Sequence, residues 1–393
     1  MAADDHDYVD PESIGSESID PELWIVAKPQ AQKGRGAASN IAGRFETQLI
    51  ETVDDGWQPH EDDTDIRPAL KTHVTPELAK SILSRNQSPD IPFSVSINPY
   101  RGCEHGCVYC FARPTHAYLG LSPGLDFETR LYAKTNAADV LRRELAQQNY
   151  QPSPIAFGVN TDAYQPCERE LNITRQCLEV FHECDHPVGM ITKSALIERD
   201  IDLLQPMAQK NLAAVAITIT TLDHSIARIL EPRAASPTRR LQTIERLANA
   251  GIPTMVSVAP IIPFITEQEI ERVLKAAADA GATAAGYTVL RLPWEINPLF
   301  QEWLQIHFPE RAARVMNRIR DMRGGKDYDA NFATRMRGEG LWADMIRQRF
   351  LKGLKRYGLD KSRRYGELDC TQFRKPLHIP ATQKSDGQMD IFG

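Results

Sequence analysis

NPYRGCEHGCVYC, residues 98–110, sets Cys103, Cys107 and Cys110 in the spacing C-x3-C-x2-C, with no fourth cysteine nearby. The stretch begins where FSVSIN (93–98), a short apolar run with β-branched residues, ends, so three thiols gather just past a predicted buried strand. Five more runs of that kind follow: IAFGVN (155–160), VGMITK (188–193), AAVAITIT (213–220), TMVSVAP (254–260) and AAGYTVL (284–290). Between them lie amphipathic segments, AADVLRRELAQQ (137–148), ERELNITRQCLEVFHEC (168–184), PTRRLQTIERLANAG (237–251) and EQEIERVLKAAADAG (267–281), with Gly251 and Gly281 as helix stops. Strands alternating with helices give parallel βα units with right-handed crossovers. Six units fall two short of a full eightfold barrel. The expected fold is α/β, a partial (β/α)6 TIM-like barrel with the cysteines at its mouth, where such barrels place their chemistry.

The flanks differ in character. Residues 1–90 read as an acidic, largely irregular N-terminal extension, 91–295 as the barrel, 296–375 as a basic helical region, and 376–393 as a flexible tail. Residues 1–65 carry 16 acidic and 4 basic side chains, whereas 301–375 carry 18 Lys or Arg against 10 Asp or Glu. An acidic leader is ordinarily solvated, and a basic block points weakly to nucleic acid. No apolar run approaches the roughly 20 residues of a membrane span, and no secretory h-region is visible, so no membrane contact and a cytoplasmic location are expected.

Seven cysteines in 393 residues do not make a disulfide scaffold; clustered, they suggest metal binding or catalysis. A cubic iron–sulfur cluster normally takes four thiolates, so three leave one iron open. A structural zinc site would be closed by four ligands, and His105, between the first two cysteines, is the residue that could complete one.

C-EHG-C-V-Y-C resembles the signature of radical S-adenosylmethionine (radical SAM) enzymes. The resemblance implies a [4Fe-4S] cluster on Cys103, Cys107 and Cys110, S-adenosyl-L-methionine on the open iron, Tyr109 beside the adenine, and a reductant such as flavodoxin or ferredoxin. One electron then cleaves SAM to a 5′-deoxyadenosyl radical. NPYRGCEHGCVYCFAR, NTDAYQPCE (160–168), TKSALIERDIDLL (192–204), LEPRAASPTRRL (230–241) and VAPIIP (258–263) further resemble the spore photoproduct lyase-like group, often labelled DNA repair photolyases. With KGRGAASN (33–40) and SPGLDFETRLYAK (122–134), that likeness covers residues 33–350. It implies that Thr161 and Asp162 make polar SAM contacts, that Lys193 approaches the SAM carboxylate, and that Thr220 or Thr221 is a hydroxyl near SAM. Strand-end Thr and Asp residues also cap helices, and Lys193 could be solvated, so those alternatives stand beside the functional ones. Glu231 and Arg233 either form a salt bridge or reach substrate.

The likeness has a limit. In spore photoproduct lyases a cysteine three residues before the matching Asp returns a hydrogen atom to the product; here that position is Val159. The same lesion chemistry is therefore not expected. Cys167, at a predicted helix N-terminus whose dipole would favour thiolate, and Tyr164 are the candidate donors, with core packing the alternative for each. Cys177 and Cys184 share a helical face and read as core. The remaining cysteines are too few for a second cluster. The expectation is a radical SAM enzyme, lyase or transferase, acting on a nucleic acid base, DNA before RNA. The alternative substrate is a small molecule or protein. The tail QMDIFG adds a possible partner: Gln388, Met389, Asp390, Ile391 and Phe392 resemble the peptides that bacterial repair proteins insert into the sliding clamp.

Overall fold

The computed structural model describes residues 29–45, 70–360 and 367–376. Among the described residues the strands are β1 (His73–Glu77), β2 (Leu83–Arg85), β3 (Val95–Ile97), β4 (Tyr100–Arg101), β5 (Arg130–Lys134), β6 (Ile155–Phe157), β7 (Val188–Thr192), β8 (Ala213–Thr218), β9 (Thr254–Ile261) and β10 (Ala284–Val289). The helices are α1 (Asp126–Thr129), α2 (Ala137–Leu145), α3 (Glu168–Leu171), α4 (Ile173–Glu183), α5 (Ile201–Gln209) and α6 (His224–Leu230), then α7 (Pro237–Asn249), α8 (Ile270–Asp279), α9 (Ile296–His307), α10 (Pro309–Asp321) and α11 (Gly340–Tyr357).

Strands β3, β6, β7, β8, β9 and β10 run parallel and neighbour one another in chain order, with β2 antiparallel at the β3 edge. These are the six apolar runs. In β3 and β6 the continuity follows from burial on both faces, since both are buried at every position. Sequential order without reversal belongs to a barrel and not to a doubly wound sheet. Among the described residues no ladder joins β10 to β2, so the sheet is an open arc. A backbone hydrogen bond and a side-chain ion pair span the gap instead. Val289 donates its N–H to Met336 O (2.9 Å), tying the segment after α10 to β10. Next to Met336, Arg335 forms a bidentate ion pair with Asp90 in the β2–β3 turn, both bonds 2.6 Å.

Two local readings need correction. Inside the segment read as irregular, β1 pairs in parallel with β5, which also holds β4, in a separate three-stranded sheet. HVTPE is half exposed and contains Pro76, a pattern that edge strands tolerate and that hides them from periodicity. The helix read over 168–184 is two helices, broken at Asn172 with φ 56°. Glu168 explains the break: its carboxylate accepts the Thr174 N–H (3.0 Å) at the start of α4 and pairs with Arg199 at 2.8 Å.

The helices after residue 295 pack onto the arc. Tyr287 on β10 meets Phe350 on α11 with ring centroids 4.6 Å apart, and Arg349 bonds Glu271 on α8 at 2.8 Å. A Cβ at Gly353 would come within 2.5 Å of Leu274, so α11 approaches α8 closely there. No helix among the described residues is long and apolar enough to cross a membrane. The sliding-clamp-like residues Gln388–Phe392 lie outside the described residues.

Candidate active site

The cysteines occupy a loop that starts directly after β4 and is fixed from several sides. Gly102 (φ 75°) and Gly106 (φ 67°) supply left-handed turns on either side of Cys103. Cys103 N–H donates to Phe127 O (2.9 Å), Cys110 N–H to Cys107 O (3.2 Å) and Val108 N–H to Leu230 O (3.2 Å). Cys103 and Cys107 are buried and Cys110 is half-buried. Beneath the loop lies Arg113, fully buried, which donates to Cys107 O (2.8 Å), Gly106 O (3.2 Å), Pro123 O (3.1 Å) and Gly124 O (2.9 Å). It also forms a buried ion pair with Glu128 at 2.5 Å. Glu128 in turn accepts the N–H groups of Gly36 (3.0 Å) and Ala37 (2.9 Å). The KGRGAASN segment is thereby strapped across the cysteine loop. A Cβ at Gly36 would stand 1.8 Å from Gly106 O, so only glycine fits.

The C-terminal ends of the next strands converge on this loop. Past β6, Thr161 Oγ1 donates to Tyr100 O (2.9 Å). Asp162 accepts from Thr192 Oγ1 (2.6 Å), Lys193 N–H (2.8 Å) and Tyr164 N–H (2.9 Å), and its Oδ2 lies 3.2 Å from His105 Nδ1 in a geometry short of a full hydrogen bond. Burial pushes the Asp162 carboxyl up, but His105 and these donors outweigh it and hold the pKa at about 2. Asp162 thus ties the cysteine loop to the end of β7. Gln165 adds a second tie, accepting from Glu104 N–H (2.9 Å) and donating to Gly102 O (3.2 Å).

Lys193, at the end of β7, stands apart. Its Nζ lies 5.8 Å from the centroid of the Tyr109 ring and makes no hydrogen bond or salt bridge with a described residue. Burial lowers its pKa, yet Cys107 and Glu231 raise it further, so the ammonium persists. Beside it, Glu231 accepts from the Tyr109 hydroxyl and from Thr220 Oγ1 (2.7 Å) and pairs with buried Arg240. Burial opposes ionisation of Glu231; Arg240, Lys193 and the two hydroxyls reverse that and hold its pKa at about 2. Thr221 faces elsewhere, donating to Glu269 (2.6 Å).

Tyr109, Lys193, Thr220 and the cysteine loop therefore meet at the mouth of the arc. Other sequence-derived candidates are engaged elsewhere. Tyr164 is buried, with its hydroxyl donating to Asp200 (3.0 Å). The thiolate expected at Cys167 is not favoured: α3 is a single turn of four residues, and burial, reinforced by Glu104 and Glu168, pushes the thiol up. Arg233 is 3.1 Å from Glu104 and not paired with Glu231. Cys177 and Cys184 are buried in the core, as read. Sequence reasoning missed Arg113, Glu128 and Arg240, whose buried ion pairs hold the site together. It also missed the rim, where Phe111, next to Cys110, is 46% exposed with Arg291 5.8 Å from its ring centroid.

Burial raises the pKa of the Cys103 thiol and brings that of Cys107 up to about 12, so neither ionises without a compensating cation. Among the described residues no three His, Cys, Asp or Glu side chains gather tightly enough for a single metal ion. The donor set is three thiols without a fourth, which fits a group that shares its ligands among several metal atoms.

Comparison with known proteins agrees. The chain matches the radical SAM superfamily over residues 97–277. Uncharacterized proteins of Mycobacterium bovis and Mycobacterium tuberculosis are 35% identical over 240 residues, covering 60% of this chain and 71% of theirs. A radical SAM Nalpha-GlyT isomerase of Pseudomonas phage M6 is 25% identical over 227 residues, 56% of this chain and 44% of that one. In fold, a tyrosine-to-phenylalanine mutant of spore photoproduct lyase aligns with a TM-score of 0.50 at 14% identity, over 73% of this chain and 80% of its own. The cofactors of the matched family are a [4Fe-4S] cluster and S-adenosylmethionine, and with its cysteine loop at the mouth of a six-stranded parallel arc this chain belongs to the radical SAM superfamily of enzymes.

Proposed function

We propose that Cys103, Cys107 and Cys110 hold the [4Fe-4S] cluster, that Lys193, Tyr109 and Thr220 receive S-adenosylmethionine, and that the radical chemistry is directed at a nucleic acid base. The observation that carries the site assignment is the unpaired Lys193 ammonium beside a buried loop of three thiols. When bound, the cluster supplies the electron that cleaves SAM to a 5′-deoxyadenosyl radical. The chain's own residues do the holding. Lys193 offers donors to a carboxylate, while Glu231, pinned by Arg240, fixes the Tyr109 hydroxyl and Thr220 as a rigid wall. Thr161 and Asp162 act one step back, by positioning the loop. Cys167 stays the candidate hydrogen donor, since it is half-buried and the Tyr164 hydroxyl is engaged with Asp200.

The nucleic acid reading draws support from the fold shared with spore photoproduct lyase and from exposed Phe111 beside Arg291 at the mouth, a pairing suited to stacking a base near phosphate. A small-molecule or protein substrate is favoured by a different observation: Arg335, Arg320 and Arg349 of the basic region are paired with Asp90, Asp327 and Glu271 inside the protein. Salt-dependent retention of DNA or RNA separates the two. A reductant such as flavodoxin or ferredoxin is the partner this chemistry needs. If Gln388–Phe392 docks into the sliding clamp, a chain ending at Asp386 loses clamp binding that the full chain shows.

The cluster assignment is tested by anaerobic reconstitution. About four iron and four sulfide per chain are expected, with SAM perturbing the reduced-state EPR signal. Cys103→Ala, Cys107→Ala or Cys110→Ala should each abolish reductive SAM cleavage, whereas Cys177→Ala should not. Stoichiometric zinc with no iron uptake would refute it.

A further inference from the structure

We infer that one face of α10 is the edge along which a nucleic acid strand is led to the mouth, an inference that rests on the nucleic acid reading above. Arg320, Arg335 and Arg349 of the basic region are neutralised by carboxylates of the protein, but the exposed arginines of a stripe on α10 are not. Arg311, Arg314 and Arg318 follow one another at intervals of three and four residues, so they share a helix face. Arg311 and Arg314 are exposed, and neither has a salt bridge among the described residues; Arg318 is half-buried, with Asp321 3.8 Å from its Nε.

The three guanidinium groups lie on aromatic rings. Arg314 Cζ is 4.0 Å from the centroid of Phe264, Arg318 Cζ is 3.9 Å from that of Trp342, and Arg311 Cζ is 5.8 Å from that of Phe308. The platform is itself held, because Trp342 Nε1 donates to Glu267 (3.2 Å) and Phe264 packs 5.9 Å from Trp342. Stacking restrains the long side chains before any ligand arrives, and it leaves N–H groups at the guanidinium edges for phosphate oxygens. The stripe covers about 10 Å of helix axis, comparable with the axial span of about three phosphates along one strand.

Its location connects it to the chemistry. Phe264 follows β9 at the C-terminal end of the arc and packs against the apolar cluster that contains Cys107 and Tyr109. A phosphate backbone on the stripe therefore runs over the same apolar cluster that backs the cysteine loop. The partner that fits is a polyanion of regular spacing with bases to present, a nucleic acid strand.

The test is fluorescence anisotropy of labelled single-stranded DNA and RNA and of duplex DNA with the full chain, over a salt titration. For a single strand, the triple substitution Arg311→Gln, Arg314→Gln, Arg318→Gln should weaken binding at least tenfold and reduce the slope of log K against log salt by about 2. Arg311→Gln alone, at an exposed side chain, should reduce it by about 0.7 and keeps the test valid if the triple variant unfolds. Arg272→Gln, at an exposed side chain of α8, should leave it unchanged. Wild-type binding with an unaltered slope in both Arg311-containing variants overturns this inference and leaves the nucleic acid reading standing. Absence of all nucleic acid binding by the wild type at low salt overturns that reading, and the stripe with it.

Discussion

Lys193 and His186 show how differently two buried titratable groups are used. Lys193 has its backbone N–H fixed by Asp162, and its ammonium makes no hydrogen bond or salt bridge with a described residue, so removing the side chain breaks no such bond in the protein and takes one from a bound carboxylate. Lys193→Ala should leave iron content unchanged and weaken SAM binding roughly ten- to hundredfold, the equivalent of about 1.5–3 kcal/mol for a lost charge-assisted bond. An unaltered SAM dissociation constant in calorimetry would move Lys193 out of the site. His186 is buried, with Tyr150 OH 2.7 Å from Nε2 and Pro187 O 3.0 Å from Nδ1, an arrangement for a neutral ring. Burial, partly offset by the Pro187 carbonyl, lowers its pKa to about 4. The folded pKa lies below the unfolded value of about 6.5, so the stabilisation is complete above that value and is lost as pH falls toward 4. The full loss is roughly 3 kcal/mol. Urea unfolding should show wild type losing more stability between pH 7 and 5 than His186→Gln; parallel slopes would show that His186 does not carry the effect.

At the scale of elements, the six strands were legible because each is a short run rich in apolar and β-branched residues, and Cys103, Cys107 and Cys110 were legible because their spacing is local. What holds that local motif was not. The Arg113–Glu128 pair spans 15 residues, and its continuation to Gly36 and Ala37 spans more than 90, so no window of sequence contains it. The same holds for Arg240, nine residues from Glu231 but brought to it only by the turn between α6 and α7. The strand β1 was hidden by its exposure and Pro76, and the break at Asn172 by a periodicity that runs straight through it. The buried pair makes a clear prediction. Arg113→Met leaves the Glu128 carboxylate buried without its cation, which costs about 3–5 kcal/mol, while adding Glu128→Gln should recover part of that loss. Chemical unfolding of the single and double variants checks it, and additive losses would mean that the two side chains do not act as a pair.

For the molecule as a whole, the arrangement divides labour between the two ends of the strands and between the middle and edges of the sheet. Chemistry gathers past the C-terminal ends of β3, β6, β7 and β8, and the helical region after residue 295 packs on β10 and α8. The link from that region back to the far edge is the Arg335–Asp90 pair. Arg335→Ala should speed amide hydrogen exchange in the β2–β3 hairpin, through the loss of about 1.5–3 kcal/mol, and leave β7 and β8 protected. Equal acceleration everywhere would indicate global destabilisation instead.

That ion pair also bears on how such a protein varies by descent. A ring sealed by a backbone ladder opens only when a row of bonds is lost together, and no single codon encodes the row. Here the seam is two side chains, Asp90 and Arg335, each replaceable by one mutation without disturbing a strand. The spacing of the two sheet edges is thus open to inheritance in small steps, separately from the thiols, so that a lineage can vary how far the arc closes while keeping the cysteine loop.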